Sequence, residues 1–101
     1  MNTYLVEFYK KNIMIENSKP HGPYKSNVEA ESMLEATKLV LPELVEIGMM
    51  SGYNDIWDAK ISGPNNEVLE ILKEGGWLID LESGKPLKKE TSEKDITDKL
   101  N

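Results

Sequence analysis

The sequence predicts an α+β protein with a small, mainly antiparallel sheet of four to five strands and two helices on one face. Some segments alternate apolar and polar residues, as half-buried strands do, and others space their apolar residues three and four positions apart, as amphipathic helices do. At 101 residues the chain is long enough for one domain. We expect a single compact domain over residues 1–87 and a mobile charged tail over residues 88–101, where Ile96 and Leu100 are the only large apolar side chains.

The first two strands are predicted near the start of the sequence. Thr3–Tyr9 is rich in aromatic and β-branched residues, and its alternation places Tyr4, Val6 and Phe8 on one face. Ile13–Ile15 follows a polar break and is expected to pair with the first strand as a hairpin. A loop with two prolines and a glycine then separates this hairpin from the rest of the chain.

Three more strands are expected further along the chain, and each has the period-2 pattern of a half-buried strand. They are predicted at about Tyr24–Glu31, Tyr53–Ser62 and Trp77–Leu81. In the second of them, alternation puts Trp57, Ala59 and Ile61 on one face. The opposite face carries Asp58, Lys60 and Ser62.

The first helix is predicted to begin after Ser32. Both Ser26 and Ser32 precede a glutamate by three residues, the spacing of a capping box in which the two side chains satisfy backbone N–H groups. Only the segment after Ser32 continues with apolar residues on one helical face, so the second serine is the expected cap. Pro42 either kinks this helix or begins a short second one, which Gly48 would end.

Another helix is predicted at Glu67–Glu74. Four aliphatic residues in this segment form a stripe, and three glutamates occupy the opposite side. Asn66 is positioned to cap the start of such a helix, and Gly75 is positioned to adopt the left-handed conformation that ends it. This helix and the one after Ser32 are the two that the predicted fold requires.

One junction in the sequence resembles a known family. The residues VEAES at 28–32, followed by Glu35 and Ala36, are similar to the strand-to-helix junction of many small phage- and plasmid-encoded α+β proteins, among them the DpnD/PcfM-like family. The resemblance is confined to residues 28–36. It implies a small sheet-plus-helix fold and a setting on a mobile genetic element, and it transfers no site residue and no activity.

Negative charge is concentrated in the middle of the sequence. Between Glu29 and Asp58 the chain has seven carboxylates and one lysine, a local balance of −6 that equals the formal net charge of the whole chain. Such a segment attracts cationic partners over distance and repels nucleic acid and anionic lipid. We therefore expect the partner to be a basic protein surface, for example that of a nuclease or a toxin, with no direct contact to nucleic acid or membrane.

The expected partner-binding residues combine these acids with two aromatic side chains, because interfaces often surround a central aromatic with charged residues. They are Glu29, Glu31, Glu35, Glu43, Glu46, Tyr53, Asp55, Trp57 and Asp58. The alternative interpretation is that Trp57 belongs to the core and that the acids only keep the protein in solution.

Residues suited to catalysis are few. His21 is the only histidine and lies between two prolines, and cysteine is absent. The pairs Asp55/Asp58 and Glu29/Glu31 could attract Ca²⁺ or Mg²⁺, but neither has the alternate spacing of a calcium-binding loop. The glycines lack the spacing of a phosphate-binding loop. We predict no catalytic residue, no cofactor and no metal site.

These observations leave two main hypotheses for the function. The first is a non-enzymatic acidic protein-binding module that blocks a basic site on a partner, as a phage or mobile-element inhibitor, an immunity protein or an antitoxin does. The alternative is a small-ligand or nucleotide-binding module that acts as an oligomer through uncovered sheet edges. An enzyme is a third possibility, supported only by unspecific carboxylates. No signal-peptide pattern or membrane-spanning apolar run occurs, so we expect a cytoplasmic protein.

Overall fold

The computed structural model describes residues 1–50 and 54–87. It contains five strands and one helix within these ranges. In chain order they are β1 (Asn2–Asn12), β2 (His21–Ala30), α1 (Met33–Met50), β3 (Asn54–Ser62), β4 (Val68–Lys73) and β5 (Gly76–Trp77). The predicted α+β class and the antiparallel sheet are thereby confirmed, whereas the expectation of two helices is wrong.

The five strands form one sheet in the order β2-β1-β3-β4-β5, and every neighbouring pair is antiparallel. β1 therefore lies between β2 and β3, which run parallel to each other. The helix α1 makes the crossover from β2 to β3 and packs mainly against these two strands. The described part of the chain is thus a β-hairpin, a helical crossover and a three-stranded meander.

The core lies between α1 and one face of the sheet. The alternation predicted for β1 is confirmed, because Tyr4 and Val6 are buried and Phe8 packs against the core from the same face. The helix contributes the apolar positions spaced three and four residues apart. The buried side chains of the core are Tyr4, Val6, Ala30, Ala36, Val40, Leu41, Leu44, Ile56, Ala59, Ile61, Ile71, Leu72 and Ile79.

The predicted start of α1 is confirmed by its hydrogen bonds. The Ser32 Oγ accepts a bond from the Glu35 N–H at 3.2 Å, and the Glu35 Oε1 accepts one from the Glu31 N–H at 3.0 Å. These two bonds satisfy N–H groups that have no partner within the helix. Pro42 lies inside a single continuous helix and is exposed, so no second helix begins there.

The helix predicted at Glu67–Glu74 is wrong, because residues 68–73 form the strand β4. A β-bulge explains the misleading pattern: Ala59 is opposite Leu72 and Lys60 is opposite Glu70, so Ile71 is an extra residue in β4. Consecutive residues of a regular strand point to opposite faces, but here Ile71 and Leu72 are both buried. Two adjacent apolar residues on one face are also part of the pattern of an amphipathic helix, and the pattern therefore resembled a helix.

Two strand predictions are corrected as well. Ile13–Ile15 is an exposed turn, where the Asn12 Oδ1 accepts a hydrogen bond from the Met14 N–H at 2.9 Å, and β1 forms its hairpin with β2 instead. The strand predicted at Trp77–Leu81 ends at Trp77, and beyond it Ile79 forms only an isolated bridge with Pro86. The tail expected after residue 87 lies outside the described residues.

Candidate functional site

Two of the predicted partner-binding acids lie on the sheet face opposite α1. Glu29 is placed between the inward-facing Val28 and Ala30, and Asp58 lies directly opposite Tyr9 in the β1–β3 pair. The Asp58 Oδ1 accepts a hydrogen bond from the backbone N–H of Glu74 at 3.2 Å. Asp58 thus supports the turn between β4 and β5 as well as contributing charge.

Three other predicted acids lie on the solvent side of α1. Glu35, Glu43 and Glu46 are exposed, and Leu39 lies among them, one helical turn from both Glu35 and Glu43. Leu39 is 50% exposed although it is a large apolar residue. We name this surface, formed by Glu35, Leu39, Glu43 and Glu46, the acidic helix face. Lys38 is the only cation in the α1 sequence.

Glu31 and Asp55 are in two further environments. Glu31 is exposed in the turn before α1, where its N–H is held by the Glu35 carboxylate. Asp55 is exposed beside Gly48 of α1, and its Oδ1 accepts a hydrogen bond from the Ile56 N–H at 2.9 Å. Tyr53 lies outside the described residues. The seven acids are therefore not gathered on one surface: the structure divides them between the helix, the helix start, the opposite sheet face and, for Asp55, the start of β3 beside Gly48.

Trp57 does not share a face with Ala59 and Ile61, as alternation predicted. Tyr9 is opposite Asp58 and Lys10 is opposite Ile56, so Trp57 is an extra residue at a bulge in β3. Ile56 takes the buried position, together with Ala59 and Ile61. Trp57 is half-buried outside the core, with the Lys11 Nζ 4.2 Å from its ring centroid in a cation–π contact.

An apolar groove borders the acidic helix face. The groove has a volume of about 730 Å³ and lies between α1 and the turn that follows Ile79. Its apolar lining comes from Leu41, Pro42, Val45 and Leu81, with Lys38, Glu46 and Glu82 at its margin. The sequence indicates this groove only weakly, because the groove depends on which part of the chain α1 packs against.

Hydrogen bonds to Asp80 hold the turn at one side of this groove. The Ser83 hydroxyl donates to the Asp80 Oδ2 at 2.9 Å, and the Glu82 N–H donates to the Oδ1 at 3.3 Å. The bond from Ser83, followed by the one from Glu82, lowers the pKa of the Asp80 carboxyl below its ordinary value. The ionised Asp80 side chain therefore positions Leu81 and Glu82 at the groove.

The described residues offer little for metal or proton chemistry. Within residues 1–50 and 54–87, no group of three His, Asp or Glu side chains is arranged to hold a metal ion. His21 has its Nδ1 2.9 Å from the Tyr24 hydroxyl at the exposed outer strand. In these same ranges no helix is long and apolar enough to cross a membrane.

Comparisons with known proteins returned no match among family models, curated proteins or solved structures.

Proposed function

We propose that this chain is a non-enzymatic, stoichiometric protein-binding module that contacts a basic surface of its partner through the acidic helix face. The observation that carries this proposal is the half-exposed Leu39 surrounded by the exposed Glu35, Glu43 and Glu46. A buried apolar anchor with charged residues around it is the usual organisation of a protein interface.

The charge distribution favours the helix over the open sheet face. On the sheet, the Glu7 carboxylate lies 4.0 Å from both the Lys25 and the Lys60 ammonium groups, and Glu70 is directly opposite Lys60. Acids and lysines therefore compensate one another there. On α1 the three glutamates outnumber Lys38, so a basic partner meets uncompensated negative charge.

The groove beside the acidic helix face extends the same surface. Leu41, Pro42 and Val45 line it from α1, and Leu81 lines it from the opposite side. An apolar side chain of the partner that entered this groove would be desolvated, whereas the glutamates would remain at the rim. Affinity would then come mainly from the groove and Leu39, and the rate of association mainly from the acids.

The proposed role is to block the basic site of the partner. A nuclease or toxin carries such a site where it binds nucleic acid, and a small acidic protein that covers it acts as an inhibitor, an immunity protein or an antitoxin. The resemblance of residues 28–36 to small phage- and plasmid-encoded proteins motivates the further proposal that the chain belongs to a mobile element.

A second candidate function rests on the groove alone. Its volume of about 730 Å³ falls within the range of about 300–1,000 Å³ that is usual for small-molecule sites. Its apolar lining favours an apolar ligand rather than a nucleotide, because Lys38 is the only cation among the lining residues. In this case binding would be insensitive to salt, which distinguishes it from the protein-binding proposal.

The test begins with capture of the partner from host lysate at low salt, followed by measurement of the association rate. Glu43→Lys/Glu46→Lys should slow association by about tenfold or more, and raising the ionic strength should slow the wild type in the same way. The control is Glu16→Lys/Glu74→Lys, which makes the same change in net charge at two exposed turn positions. Equal effects of the two double variants would show that only net charge matters and would contradict the proposal.

A further inference from the structure

The outer strand β2 presents the longest free edge of the described sheet. β2 has ten residues and lies at one end of the strand order, with only β1 as its neighbour in the described part of the chain. The opposite end of the sheet is the two-residue strand β5. All residues of β2 except Val28 and Ala30 are exposed. An edge of this length exposes backbone N–H and C=O groups that another strand can pair with.

The side chains along this edge are complementary to a second copy of themselves. Lys25, Asn27 and Glu29 alternate along β2 and share the sheet face opposite α1. In an antiparallel pair of two such strands centred on Asn27, each Lys25 lies opposite the Glu29 of the other copy. Shifting the centre by one residue to Ser26 places Lys25 opposite Asn27 instead, so one register is favoured by charge.

We infer that β2 is the seam of a symmetric homodimer in which two five-stranded sheets join into one continuous sheet. The occupant of the free edge is a second copy of this chain, related by a twofold axis that passes through Asn27. The interface is isologous and closes at two subunits, so it does not propagate into fibres. Its backbone pairing extends over residues 24–30. It stops before Pro23, because proline has no N–H group to donate.

An apolar notch on the helix side of β2 adds to this seam. It has a volume of about 360 Å³ between α1 and the edge, and its apolar lining includes Phe8, Tyr24, Val40 and Ile47. Tyr24 is 41% exposed, and its ring stacks on Phe8 with centroids 5.4 Å apart. In the Asn27-centred register, Tyr24 lies at the end of the paired stretch, opposite Ala30 of the other copy. Pairing therefore covers apolar surface as well as backbone groups.

The backbone groups that pair in this seam are separate from the acidic helix face, and Glu43 is the one residue of that face that also lines the notch. Glu35, Leu39, Glu43 and Glu46 are on α1, whereas the pairing groups belong to β2 and point along the sheet. The homodimer would present two acidic helix faces on the same side of one sheet. The inference thus goes beyond the proposed function and stands or fails independently of it.

The experiment measures the dimer dissociation constant of the full chain by sedimentation velocity over a concentration series. We expect the wild type to be a dimer at high concentration. Lys25→Glu and Glu29→Lys, each alone, place like charges opposite each other twice per dimer and should weaken association by about tenfold or more. An equimolar mixture of the two variants should restore association, because every pair in the mixed dimer is then oppositely charged.

The matched control is the loop pair Glu16→Lys and Lys19→Glu, which should leave association unchanged alone and in mixture. A melting curve for each variant checks that the fold is intact. Three results would overturn the inference. The first is a wild type that sediments as a single chain at every concentration. The second is that Lys25→Glu and Glu29→Lys dimerise as tightly as the wild type. The third is that the mixture of these two variants associates no better than either variant alone.

Discussion

Ser32 sets the start of α1 through one hydroxyl group. Its Oγ accepts the Glu35 N–H, and Glu35 in return holds the Glu31 N–H, so the cap joins the turn after β2 to the helix. The same glutamate belongs to the acidic helix face. The Glu35 side chain that satisfies the backbone therefore also has a fixed position on the proposed binding surface.

We expect Ser32→Ala to destabilise the protein by about 0.5–2 kcal/mol, because the Glu35 N–H loses its acceptor. Ser26→Ala is the control, since Ser26 has the same spacing to a glutamate but lies on the exposed strand β2. It should have little effect. Urea denaturation of both variants measures the free energies of unfolding, and a larger loss for Ser26→Ala would contradict the assignment of the cap.

For single residues, the sequence predicts which side chains are exposed better than it predicts which residues they contact. The acids of α1 could be placed at the surface because the apolar periodicity defines the inward side of the helix. Leu39 could have been noticed by the same criterion, as an apolar residue outside the inward stripe. Trp57 could not be placed correctly, because a bulge in β3 interrupts the alternation, and such a bulge depends on the register with β1.

Among the elements, β4 shows why a short apolar run is ambiguous. Its length of six residues fits either a strand or less than two turns of helix, and Gly75 is a reasonable residue at the end of either. The structure uses Glu74 and Gly75 as the two-residue turn to β5, and both have positive φ, 49° and 81°. Two positive φ values are the signature of a type I′ hairpin turn.

We expect two neighbouring substitutions in this turn to change the stability of the protein in opposite directions. Glu74→Asn should stabilise the protein by several tenths of a kcal/mol, because asparagine adopts positive φ more readily than glutamate. Gly75→Ala should destabilise it by about 1 kcal/mol, because a Cβ is disfavoured at this backbone conformation. Thermal melts of both variants are the measurement. A destabilising Glu74→Asn would argue against the hairpin.

For the whole molecule, the sequence indicated the class of fold but not the strand order. Most strands could be located from alternation, since that pattern is local. The position of β1 between β2 and β3 could not, because it follows from pairing between residues far apart in the chain and from where α1 can cover the sheet. The same long-range pairing determines which of the acids lie on α1 and which lie on the opposite face of the sheet.

We expect the residues after Lys89 to contribute little to the stability of the fold. A chain that ends at Lys89 should change the melting temperature by less than about 2 °C, because the sequence after it offers only two large apolar side chains. The control is a chain that ends at Lys85. It removes the bridge between Ile79 and Pro86 and the 2.9 Å hydrogen bond from the Leu87 N–H to the Leu78 carbonyl. Differential scanning calorimetry should show a clear loss only for the shorter chain.

A melting temperature that fell by several degrees for the chain ending at Lys89 would instead show that Ile96 and Leu100 bury apolar surface against the domain. The boundary expected at residue 87 would then be wrong.

The central place of β1 has a consequence for synthesis on the ribosome. Its hairpin with β2 is complete once Ala30 has emerged, but its other side must wait for β3, whose register joins Leu5 to Ser62. Throughout the interval in which α1 emerges from the ribosome, the nascent hairpin has two unpaired edges and an uncovered apolar face. That interval is when the growing chain is most open to pairing with a neighbouring nascent chain or to recognition by a chaperone, and it closes when β3 inserts beside β1.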